Sequence, residues 1–213
     1  DGDGVGRLGQ PAGEAAVKNL ALLVAQLSPA WDAWSMQVVD DWERESGFRA
    51  DPGVLGGAIR DARAWRLRRF LPKTLRNCTQ FRVDRSWDRF RSAVRSLPGD
   101  FLAALEDPDA LVAKGRLLKD GRTCTVAACE VSGRTVVIKR YNVKGLGHAV
   151  SRAWRPSRAW HAWREGHRLS FLGIATPQPL VLIEERVGPM RGRAFLVTEF
   201  SHGQGLTHLL HED

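Results

Sequence analysis

Apolar residues recur at helical spacing through the first third of the chain. The run "EAAVKNLALLVAQLS", residues 14–28, carries them for one helix, and Pro29 stops it. In "AWDAWSMQVVDDWERES" Trp31, Trp34, Val38, Val39 and Trp42 fall along one predicted face, which assigns the tryptophans to a core, and Gly47 ends the helix. A third helix is expected from "DPGVLGGAIRDARAWRLRRFL", with Asp51 as N-cap and Pro52 at the first helical position.

The pattern then loses its period. "FRVDRSWDRFRSAV" reads equally as a hairpin or a short amphipathic helix, and "LPGDFLAALEDPDALVAKG" as a short helix and linker punctuated by Pro98, Gly99, Pro108 and Gly115. Beyond Gly115 the grammar changes to strands. "RLLKDGRTCTVAACEVSGRTVVIKRYN" holds three β-runs separated by turn chemistry at Lys119–Arg122 and Ser132–Arg134. A helix follows in "RPSRAWHAWREGHRLSFLG", then a hairpin of "PLVLIEE" and "RAFLVTEF". The order is β-β-β-α-β-β.

Composition changes this picture in one respect. The 213 residues are 43% apolar and 26% charged, ordinary for a folded protein, and no apolar run approaches the roughly 20 residues that cross a bilayer. The three cysteines have no metal-site spacing and read as idle thiols of a reducing compartment. The net charge of +8, however, is local. Residues 134–168 carry nine Lys or Arg against one acidic residue, Glu165, while the remainder cancels. That segment is expected to face something anionic.

A lysine ending the third strand, in "VVIKRY", and a glutamate inside the next helix resemble the small lobe of a protein-kinase-like fold. The wording "VIKRYN", "WRPSRAWHAWREGHRLSFLGIATPQPL" and "AFLVTEF" is similar to the lipopolysaccharide kinase family, bacterial enzymes that phosphorylate heptose or Kdo sugars of the inner core. The match covers about residues 113–206. The resemblance implies an α+β fold: a helical N-terminal region over 1–78, a linker over 79–112, and a kinase-like N-lobe of antiparallel sheet plus one helix over 113–213, with the C-lobe absent from this chain.

It also implies residue roles. Lys139 would hold the ATP phosphates, paired to Glu165. Glu165 lies on a predicted apolar stripe with Ala162, Leu169 and Leu172, where a carboxylate needs a partner; the plainer alternative pairs it with Arg168. The strand-one to strand-two loop offers only Gly121 where kinases place a glycine-rich loop, with Thr123 and Lys119 as further phosphate contacts. Thr198, Glu199 and Phe200 fall where adenine would bind. The implied cofactors are ATP and Mg²⁺, with metal ligands expected outside this chain, since "HED" at 211–213 comes too early for a catalytic loop; Asp1 of "DGDG" is the one metal candidate, as the end of a preceding kinase-like domain, against a plain chain end.

The implied substrate is a lipopolysaccharide core sugar, phosphorylated at the cytoplasmic face of the inner membrane. Residues 144–168, with Lys144, His148, Arg152, Arg155, Arg158 and His161, would meet the anionic surface. Two rivals stay open: a pseudokinase or scaffold module, and a nucleic-acid binder using Trp154, Trp160 and Trp163 between the arginines. No nucleic acid partner is expected on the kinase resemblance.

Overall fold

The computed structural model describes residues 13–142, 156–187 and 190–202. The chain divides into two compact units, Asp1–Phe70 with Phe171–Ile174, and Leu71–Ser170 with Ala175–Asp213.

The first unit is helical: α1 (Gly13–Val24), α2 (Asp32–Ser46) and α3 (Pro52–Phe70), with a 3-10 turn at Pro29–Trp31. Each boundary has a local cause. Ser28 Oγ accepts from the Ala30 N–H ahead of the 3-10 turn. Gly47 closes α2 at a φ of 67°, in the left-handed region that a side chain resists. The Asp51 carboxylate accepts from the Val54 N–H at 2.9 Å and caps α3. Val17, Leu20, Val24, Val39, Leu55 and Ile59 form the core, with Trp42 and Phe48 edge to face beside it.

The expectation that the tryptophans here line a core holds for Trp42, which packs against it, and is corrected for Trp31 and Trp34. α2 buries Ser35 and Val39, one turn apart, and that choice turns Trp31 and Trp34 outward, at 60% and 52% exposure. The two rings pack edge to face on each other instead.

The second unit is built on one seven-stranded antiparallel sheet, larger than the five strands expected. Its strands are β1 (Phe81–Arg85), β2 (Arg89–Val94), β3 (Arg116–Gly121), β4 (Cys124–Val131), β5 (Arg134–Tyr141), β6 (Pro179–Val187) and β7 (Met190–Glu199), in the spatial order β1-β2-β6-β7-β5-β4-β3. The ambiguous segment after residue 79 is a hairpin. It joins the sheet because β2 pairs with β6, Phe90 opposite Glu184 and Ser92 opposite Leu182. The following stretch is not a bare linker: it holds α4 (Gly99–Ala104) and α5 (Pro108–Lys114).

Period-two alternation gives the sheet two faces. Ala127, Cys129, Val136, Ile138, Val181, Ile183, Phe195 and Val197 point to one of them, and Phe101, Leu102, Leu105 and Val112 cover it. The hydrocarbon on both sides is almost wholly withdrawn from water, the main source of stability at roughly 25 cal/mol per Å². The opposite face receives α6 (Arg158–Phe171). Trp163 is fully buried there, edge to face with Phe81, and its indole N–H donates to Thr74 O at 3.1 Å. Ser92 Oγ donates to the same carbonyl at 2.6 Å. Trp160 lies against Phe90 at 5.2 Å. Gly166 lets the helix approach so closely that a Cβ there would stand 2.5 Å from Pro179 Cγ.

The β4–β5 turn meets its expected chemistry. Ser132 and Gly133 both take positive φ, 47° and 74°, as a two-residue turn between twisted strands requires.

Candidate functional site

Directly opposed residues of antiparallel strands share a face, so the strand register places each predicted site residue. Lys139 on β5 stands opposite Val126 on β4 and Leu196 on β7; Val126 in turn stands opposite Lys119 on β3. Lys119, Val126, Lys139, Leu196 and Leu182 therefore form one row across the sheet. The row is on the α6 face, because Phe90 and Glu184, which α6 and its cap contact, alternate into that same face.

Two neighbouring rows frame it. On one side Arg116, Ala128, Val137 and Thr198 are opposed in sequence. Thr198 is buried, and Ala128 and Val137 give this row a small apolar surface. Phe200, just beyond β7, is half-buried with the Arg116 guanidinium over its ring at 5.9 Å. On the other side Gly121, Cys124, Tyr141 and Ala194 are opposed. The structure thus brings Lys119, Gly121, Lys139, Thr198 and Phe200 to one region of one face. Glu199 is not among them. It stands opposite Val136 on the other face, and its N–H donates to Gln178 O at 3.0 Å.

The β3–β4 connection is only Arg122 and Thr123, neither with positive φ. It is held by Asn142, whose N–H donates to Thr123 O at 3.2 Å and whose amide donates to Gly121 O at 3.4 Å. Arg140 Nε donates to the Asn142 side-chain oxygen at 3.0 Å. A side chain on Gly121 would crowd Cys124 O at 3.1 Å. The turn is tight and pinned, unlike a glycine loop that folds over phosphates.

Glu165 is where the structure departs from the expected ion pair. Among the described residues no ion pair joins it to Lys139; its carboxylate accepts from Arg168 at 3.0 Å, with both side chains largely exposed. The reason is the face that α6 buries. Ala159, Trp163 and His167 point inward, and Glu165, two residues after Trp163, is turned about 200° around the axis at 100° per residue. The Ala162 and Leu169 stripe only flanks the packed side.

The buried acid of this face is Glu184, 1% exposed and missed from the sequence. Alternation through "VLIEER" contained the signal, since Glu184 follows Leu182 on the same face. Its carboxylate accepts from Ser157 Oγ at 2.5 Å and from Arg186 at 2.8 Å. Ser157 Oγ in turn accepts from the Trp160 N–H at 3.1 Å, so the first turn of α6 is fastened to the sheet through one carboxylate.

Two further titratable groups belong to the site. Burial pushes the Cys124 thiol up, and the positive charges of Lys139, Lys119 and Arg158 pull it part of the way back. Burial also pushes the Tyr141 hydroxyl up to about 12, with Cys124 adding to the rise and Arg158 opposing it. Elsewhere, a cavity of about 310 Å³ lined by Asp84, Arg85, Ser86, Asp88, Arg89, Arg91 and Glu106 is neutralised by its own ion pairs.

Among the described residues no group of three or more His, Cys, Asp or Glu is placed to hold a metal ion, and no helix is long and apolar enough to cross a membrane. Asp1, Lys144, His148, Arg152, Trp154, Arg155 and residues 203–213 lie outside the described residues. Of the tryptophans proposed to stack on bases, Trp163 is fully buried. Comparison with protein-family models, with curated proteins and with solved structures finds no match.

Proposed function

We propose that residues 113–213 are the ATP-binding small lobe of a kinase-like domain that phosphorylates a lipopolysaccharide inner-core sugar, heptose or Kdo. The observation that carries the reading is the position of Lys139. It lies two residues before the end of β5 in a β-β-β-α-β-β order, shares its row with Lys119, and lies on the face that takes the intervening helix. A cation there suits the phosphates, and the adjacent Ala128–Val137–Thr198 row, with Phe200 at its end, suits the adenine ring.

When bound, ATP would supply the phosphoryl group and Mg²⁺ would neutralise its charge. The chain's own residues bind and orient: Lys139 and Lys119 hold phosphate oxygens, and the apolar row excludes water from the base. One observation favours the pseudokinase or scaffold alternative, in which the fold is kept without the chemistry and the basic segment binds anionic lipid or a partner protein. An active kinase pairs the strand lysine with the helix glutamate, and here Glu165 is engaged by Arg168.

The test is calorimetric titration of the chain with ATP. Binding is expected for the wild type and for Trp160→Ala, and loss of at least tenfold in affinity for Lys139→Ala, the scale of one charge-assisted contact. Equal affinity in Lys139→Ala and wild type would remove the assignment.

A further inference from the structure

The β3–β4 turn poses a chemical problem for any nucleotide on this face. Two pinned residues without a positive φ cannot fold over a triphosphate, so the neutralising groups must be side chains. We propose that Arg158, together with Lys119 and Lys139, forms a three-cation cradle for a linear polyphosphate, standing in for a glycine-rich loop.

Three observations converge on it. First, the cations share one place: Lys119 and Lys139 flank Val126 in a single cross-strand row, and Arg158 opens α6 above that face. Cys124 and Tyr141, opposed in the next row, both feel the Arg158 charge. Second, the three are uncommitted. Among the described residues no carboxylate pairs with any of them, whereas Arg89, Arg91, Arg140, Arg186 and Arg193 on the sheet all hold carboxylates. Cations left without acids in one place are arranged for an external anion. Third, the backbone that carries Arg158 is anchored: its neighbour Ser157 is fastened to the buried Glu184, which fixes where the exposed Arg158 side chain starts. The positive end of α6 adds to the field at the same point.

The inference rests on the nucleotide-binding reading, and the experiment separates the two. The full chain is titrated with ATP and, independently, with inorganic tripolyphosphate, both without magnesium, as wild type, Arg158→Gln, Arg158→Lys, Lys139→Ala and Arg164→Gln. Arg164 is exposed six residues further along α6 and is the charge control. Arg158→Gln should weaken both ligands about tenfold, Arg158→Lys should restore part of the loss, and Arg164→Gln should bind as wild type. The salt dependence of binding should also flatten in Arg158→Gln. If Arg158→Gln binds both ligands like wild type while Lys139→Ala loses them, the cradle is wrong and the nucleotide reading survives. If tripolyphosphate binds with dependence on Arg158 but ATP does not bind, the cradle stands and the nucleotide reading falls. If neither ligand binds the wild type at millimolar concentration, both fall. A thermal melt of Arg158→Gln matching the wild type assigns its loss of binding to the lost charge.

Discussion

His167 shows what one residue of α6 gains and gives up by facing the sheet. It is 5% exposed, edge to face with Trp163 at 4.2 Å and Phe81 at 5.0 Å, and burial lowers its pKa to about 4. The unfolded chain therefore takes up a proton near pH 6.5 that the folded chain refuses until about pH 4. The stability held by neutral His167 is complete above pH 6.5 and is lost as pH falls through the interval below. Thermal melts from pH 7.5 to pH 5 should show a falling midpoint in the wild type and a flatter one in His167→Gln; parallel curves would mean the imidazole is not the group titrating. At the same scale, the identity of the buried acid was not legible. Glu165 drew attention because helical spacing puts it among apolar residues, but spacing does not say which of two adjoining stripes packs. The volume of Trp163 decides that, and Glu184 takes the buried place.

Elements whose partners are close in sequence were legible. The β4–β5 hairpin announces itself through Ser132-Gly133, and α6 through Pro156 and Gly173 at its ends. The β1–β2 hairpin was not, because a short run with Phe81, Val83, Phe90 and Ala93 is ambiguous until its lateral partner is known, and that partner is β6. Where α4 and α5 form, only a short helix and a linker were legible, for a similar reason: each helix is under two turns, and only the sheet beneath explains the pair. The contact between α6 and β6 supports a further prediction. Gly166→Ala forces a methyl to 2.5 Å from Pro179 Cγ, and overpacking of this kind costs about 1–3 kcal/mol. Chemical denaturation should show that loss with the slope unchanged. An undiminished midpoint would mean that the helix and Pro179 part easily.

At the scale of the molecule, Lys139 and Arg158 are the described cations of the basic segment 134–168 on the sheet face that also carries Lys119. A ligand that binds only the folded state stabilises it by mass action, about 2.7 kcal/mol at a hundredfold excess over Kd. Saturating ATP should therefore raise the melting temperature of the wild type and leave Lys139→Ala where it was. Equal rises would place the nucleotide elsewhere. Of this site, the lysine, its strand and its helix were legible, because each is written within a few residues. The commitment of Glu165 and the freedom of Arg158 were not, because they depend on which carboxylates the folded chain has already spent.

The order in which the strands pair has a consequence for synthesis. β1 and β2 are translated first among the strands, yet β2 finds its second neighbour only when β6 emerges, Phe90 waiting for Glu184. β5 likewise closes on β7 after the whole of α6 has been made. On the ribosome the early hairpin therefore spends the intervening time with its β2 edge open, and Arg89 and Arg91 on that strand are the charges that discourage a neighbouring nascent chain from taking the edge.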